Sequence, residues 1–84
     1  MTEQAVSRMS DAEMRRAVAS RIRQARTAAG MTQAEAGAGA CVTHSTVSLW
    51  ESAENAPTAV NVIRLAASLG VTAGWLLLDE GEGP

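Results

Sequence analysis

Residues 32–51, TQAEAGAGACVTHSTVSLWE, decide the reading of the fold. Thr32 with Glu35 three positions on is a capping box, in which the hydroxyl serves a free backbone N–H and the carboxylate reaches back to the cap. A helix therefore starts at Gln33 and runs to Ala40. Gly37 and Gly39 inside it each cost ~1 kcal/mol relative to Ala, which makes sense where another backbone packs closely. Cys41 and Val42 make a sharp turn, and Cys41 reads as a buried turn thiol. Thr43 caps a second helix over 44–52, whose Val47 and Trp50 point inward at i, i+3. Small polar side chains are left on its other side.

The same punctuation extends outward. Ser10 and Glu13 form another capping box, and Met14, Val18, Ile22, Ala25 and Ala29 then recur at helical spacing until Gly30. Arg15, Arg16, Arg23 and Arg26 fall in a neighbouring arc, readable as a phosphate-facing surface or as a solvated face. After the polar turn SAENAP (52–57), Thr58 caps a helix over 59–69 carrying Val62, Ile63, Leu65, Ala66 and Leu69. Gly70 ends it, and Thr72 caps a short last helix over 73–78. The expected architecture is all-α, a compact five-helix bundle over 10–78 with its central pair at 32–52. Residues 1–9 read as a flexible end, and 79–84, DEGEGP, as a solvated, disordered acidic tail.

Eighty-four residues suit one small domain, for which oligomerisation is a common supplement to a limited core. Phe and Tyr are absent, so Ala, Val, Leu, Ile, Met and two Trp must build the core, with Trp50 and Trp75 as anchors. A single Cys and a single His leave no disulfide and no metal cluster, so no metal or cofactor is expected. His44 and Ser45 are neighbours on a helix and point in different directions, and no orienting acid accompanies them, so an enzyme is not expected. No apolar run approaches the ~20 residues of a membrane span, and MTEQAVSRMSD lacks a signal-peptide core. A cytoplasmic location is the expectation. Net charge is −2, but six of the seven arginines lie in the first 30 positions, so the chain is polarised from a basic start to an acidic end.

Several markers follow one another in order: R-x-x-R-x-x-x-G-M-T-Q-A-E from Arg23, V-T-x-S-T-V-S-x-W-E from Val42, N-x-P-T from Asn55, L-A-A-S-L-G-V-T from Leu65, and Gly74-Trp75-Leu76-Leu77. Together they resemble the Cro and phage-repressor type of helix-turn-helix, the XRE-like family, from about Arg21 to Leu78. The resemblance implies a lambda-repressor-like five-helix fold and a DNA-binding transcriptional regulator, repressor-like, of phage or bacterial origin. It implies that helix 44–51 enters the major groove of double-stranded DNA, with His44, Ser45, Ser48 and Leu49 toward base edges. His and Ser can exchange hydrogen bonds with purine edges, and Leu can touch a thymine methyl. Gln33 matches a phosphate-contacting position, and Thr32, Thr43, Ser52, Asn55 and Arg23 are candidate phosphate contacts of the same kind. Arg26 and Glu51 match a partly buried salt bridge. A homodimer on a near-palindromic operator is expected, with the turn at 54–61 and Trp75, Leu76 and Leu78 at its interface. No small-molecule ligand is expected.

Five departures qualify the resemblance. Cys41 stands where the turn Gly is usual; Ala36 replaces a core Leu, and Gly37 an Ala. Leu49 replaces an Arg or other polar residue, and Glu54 a Lys or Arg. The last two lower the charge term that supplies most non-specific DNA affinity. They motivate an alternative, a helix-turn-helix fold that binds protein, such as an antitoxin with its toxin or an antirepressor.

Overall fold

Every helix of this protein starts at a hydroxyl. In a computed structural model that describes residues 2–84, six helices follow one another: α1 Glu3–Ser7, α2 Asp11–Ala28, α3 Gln33–Gly39, α4 His44–Glu51, α5 Ala59–Leu69 and α6 Ala73–Leu78. Their N-caps are Thr2, Ser10, Thr32, Thr43, Thr58 and Thr72, and each side chain accepts a backbone N–H of the first turn. Both expected capping boxes, Ser10–Glu13 and Thr32–Glu35, are formed. The described residues contain no strand.

The helix ends share a second device. Gly30, Cys41, Ala53, Gly70 and Asp79 all have φ between 57° and 72°. After four of them the next N–H reaches five residues back: Met31 to Arg26, Val42 to Gly37, Glu54 to Leu49, and Val71 to Ala66. This is the left-handed termination that turns a helix back on itself. Glycine carries it after α2 and α5. Cys41, Ala53 and Asp79 carry it with a Cβ.

α3 packs on α4 and α5, α2 on α4 and α6, and α5 on α6. The core gathers Ile22 and Ala25 of α2, Ala36 and Ala40 beside the turn, Val47 and Trp50 of α4, Val62, Leu65, Ala66 and Leu69 of α5, then Val71, Trp75 and Leu76. Alanines around α3 leave little bulk there, so the backbones approach closely. A Cβ on Gly37 would sit 2.7 Å from the Val42 carbonyl oxygen, whereas one on Gly39 would meet the Ser68 side chain.

Three expectations change. The N-terminal stretch contains the helix α1. The acidic tail folds back on α6, where Thr72 N–H donates to Glu82 O at 3.0 Å and Glu80 N–H to Gly74 O at 3.2 Å. Cys41 is exposed, because its left-handed backbone turns the side chain outward while Ala40 fills the interior.

Two substitutions should act in opposite directions. Cys41→Gly removes a strained Cβ and should raise stability by about 1 kcal/mol, whereas Gly37→Ala should lower it by about 1–3 kcal/mol through overpacking. Urea unfolding of both variants against the wild type checks the signs.

Candidate nucleic-acid interface

α4 is anchored on one side and bare on the other. Val47 and Trp50 are buried, which fixes the rotation of the helix about its axis. His44, Ser45, Ser48 and Leu49, at i, i+1, i+4 and i+5, are consequently exposed along one face. Among the described residues, no side-chain hydrogen bond within the chain engages His44, Ser45 or Ser48. Leu49 keeps 37% of its surface accessible, an apolar contact beside three polar ones.

The candidate phosphate contacts divide by what their side chains already do. Thr32 Oγ1 accepts the Glu35 N–H at 3.1 Å and Thr43 Oγ1 accepts the Thr46 N–H at 3.3 Å. Ser52 Oγ donates to Leu49 O at 3.1 Å, which uses the proton a phosphate would need. Arg23 and Asn55 are exposed. The Glu35 carboxyl is held below the ordinary glutamate range, first by the backbone N–H of Thr32 and then by the Thr32 side chain.

Gln33 belongs to a polar cluster that joins three helices. Arg26 Nε lies 2.6 Å from Glu51 Oε2 and its Nη2 3.0 Å from Oε1, a bidentate pair between α2 and the end of α4. The side chains are only 16% and 5% exposed. Arg26 Nη1 donates to Met31 O at 2.9 Å, and Gln33 Nε2 to Glu51 Oε1 at 3.3 Å. The hydrogen bond to Glu51 raises the Arg26 pKa further, against the effect of desolvation.

Two more arginines of α2 are engaged inside the molecule, Arg15 from the basic arc and Arg21 from outside it. Arg21 donates to Leu76 O and Leu77 O, both at 2.7 Å, and so caps the last carbonyls of α6. Burial lowers its pKa, and nearby Asp79 opposes that shift. Arg15 Nε donates to Ala53 O at 3.3 Å. The sequence reading did not find these roles, since a backbone carbonyl dozens of residues away leaves no pattern around an arginine.

The expected dimer residues need correction. Trp75 and Leu76 are buried in the chain's own core, so they have little surface to offer a second copy. Leu78 is half-buried and Leu77 is exposed. The larger exposed apolar residues are on α5, Val60 at 54% and Ile63 at 62% accessible.

Residues 22–76 match the helix-turn-helix family of the XRE type, and the chain belongs to that family. Proteins of this kind are DNA-binding regulators rather than enzymes. The P22 c2 repressor, solved in complex with a synthetic operator, is similar to this chain at 28% identity and TM-score 0.71, over 75% of this chain and 96% of the repressor chain. A hypothetical transcription factor from Neisseria is similar at 28% identity and TM-score 0.75, over 83% of this chain and 80% of its own. No curated protein matches in sequence. No described helix is long and apolar enough to cross a membrane.

Removing the Arg26 guanidinium leaves Glu51 as a nearly buried, uncompensated charge. Arg26→Ala should therefore lower unfolding free energy by about 3 kcal/mol, while Arg23→Ala, on the exposed side of α2, should stay within about 0.5 kcal/mol. Equal melting temperatures for the two variants would contradict the assignment. Glu35 gives a pH prediction. With its folded pKa depressed, its contribution is present above the unfolded value and is lost as pH falls through the folded one. A carboxyl NMR titration should place Glu35 below the ordinary range, and Thr32→Ala, which removes the hydroxyl but keeps the backbone N–H, should return it only in part.

Proposed function

We propose that this chain is a sequence-specific transcriptional regulator, repressor-like, that binds a near-palindromic operator as a homodimer and inserts α4 into the major groove. One observation carries the reading: the exposed face of His44, Ser45, Ser48 and Leu49 lies on a helix whose opposite face is locked by Val47 and Trp50. Polar side chains without partners of their own, held on a rigid element, are what direct readout of base edges requires. The operator complex of the P22 c2 repressor supports the choice of ligand. Gln33, Thr32, Thr43, Asn55 and Arg23 would set the register through phosphates. Ser52 would do so only by releasing Leu49 O. Val60, Ile63 and Leu77 are the apolar surface a second copy would cover. Half-site centres would then lie ~34 Å apart. The protein would act in the cytoplasm.

A second reading, a module that binds a protein such as a toxin or an antirepressor, is favoured by a different observation. An open groove of about 480 Å³ between α1, α2 and α6 is lined by Val6, Met9, Met14, Val18, Leu77 and Leu78. Apolar grooves of this kind suit a partner's amphipathic helix.

Mobility-shift assays with genomic fragments separate the two readings. Fragments should be retained at micromolar protein and low salt, and retention of none sinks the first. The double variant His44→Ala, Ser48→Ala should lose its preference among fragments while its melting temperature stays within about 2 °C of wild type, since neither side chain is buried.

A further inference from the structure

We infer that Glu51 is a positioning residue for Gln33, fixing which way the glutamine amide presents its donor at the edge of the helix-turn-helix. The inference rests on the DNA-binding reading above. A carboxylate only accepts hydrogen bonds. With Glu51 Oε1 3.3 Å from Gln33, the amide must turn its NH2 group, not its carbonyl, toward α4. The amide cannot flip without setting two oxygens against each other.

Glu51 is itself immobile. Arg26 grips both of its oxygens at 2.6 and 3.0 Å and is anchored in turn on Met31 O, the carbonyl just before the α3 cap. The cluster therefore ties Gln33 to the end of α4 through a group that is almost wholly buried. One Gln33 N–H is engaged with Glu51, and the second remains as a donor of fixed direction for a phosphate oxygen. Ordering this side chain before DNA arrives removes a cost that a free glutamine would meet on binding, worth about fivefold in affinity. An acidic residue in contact with Gln33 thus assists an anion contact instead of opposing it, because its charge is already matched by Arg26.

The test combines two measurements on the full chain. In the free protein, nitrogen-edited NMR should show the two Gln33 side-chain amide protons well separated and slow to exchange. In Glu51→Gln, whose amide can donate or accept, they should move to free-amide positions. Glu51→Asp keeps the charge for Arg26 but withdraws the carboxylate from Gln33; it should do the same with a smaller loss of stability. Affinity for a retained DNA fragment is then measured in a double-mutant cycle, below the melting temperature of every variant. Gln33→Ala should weaken binding about fivefold in the wild type and less than twofold in the Glu51→Asp background. An equal loss in both backgrounds, or a Gln33 amide that averages freely in the wild type, overturns the inference. Failure of the wild type to retain any DNA overturns the functional reading and this role with it. The amide spectrum keeps that result distinct from a glutamine that is simply not held.

Discussion

The rest of the structure depends on the ion pair between Arg26 and Glu51. It joins the last turn of the longest helix to the last residue of α4, and through Met31 and Gln33 it also fixes where α3 begins. The interior around α3 could not do this alone. Ala36, Ala40 and Gly37 supply almost no side-chain volume, so the position of α3 rests on backbone approach and on polar contacts. A nearly buried pair of this kind is weak support for raw stability, since two desolvated charges recover in attraction about what they lost in hydration. Its value lies in geometry. Hydrophobic contacts of alanines tolerate small slides, whereas a bidentate guanidinium–carboxylate pair does not. The face that α4 shows to solvent is therefore set by Val47 and Trp50 from below and by Glu51 at the end.

The turns add a second constraint. Both ends of α4 are flanked by left-handed residues that carry a Cβ, Cys41 with φ 62° and Ala53 with φ 64°. Each is held by a short-range N–H bond to the preceding helix, Val42 to Gly37 at 2.8 Å and Glu54 to Leu49 at 3.1 Å. The backbone energy involved is offset by closing both helices against the same core. Gly37 then has two jobs: its carbonyl accepts the Val42 N–H, and its missing Cβ lets Val42 come within range. A helix-breaking residue in the middle of a seven-residue helix is explained by the turn that follows it.

What the sequence made legible follows the range of the interactions. Helix starts were readable because a hydroxyl cap and its partner lie three residues apart. The five longer helices begin where the caps at Ser10, Thr32, Thr43, Thr58 and Thr72 put them. The outward face of α4 was readable because two inward apolar residues leave one geometric choice for the others. α1 was not, since five residues with no buried side chain carry no periodicity. Trp75 was readable as a core anchor, but the inward turn of Leu76 was not: in a run of four apolar residues, composition does not say which of the leucines meets the core. The folded-back tail depends on backbone hydrogen bonds from Thr72 to Glu82 and from Glu80 to Gly74, which leave no pattern in the sequence. Arg15 and Arg21 were missed for the same reason, their partners being carbonyls of Ala53, Leu76 and Leu77.

That last omission alters the electrostatic argument. The sequence suggests a basic first helix, but three of its arginines are turned inward, to Glu51 and to helix-end carbonyls. Arg16 and Arg23 of α2 are exposed, joined by Arg8 and Arg64 elsewhere. Affinity that comes from releasing counterions scales with the number of phosphates neutralised, at roughly −0.9 per contact in the logarithmic salt slope. A surface with so few exposed cations gives a shallow slope and weak non-specific binding. On the proposed reading, discrimination would then come from the α4 face itself and from side chains ordered in advance, such as Gln33. A small regulator that reads DNA in this way would give up general attraction to the duplex, and the contrast between one site and the rest would depend on a few positioned groups.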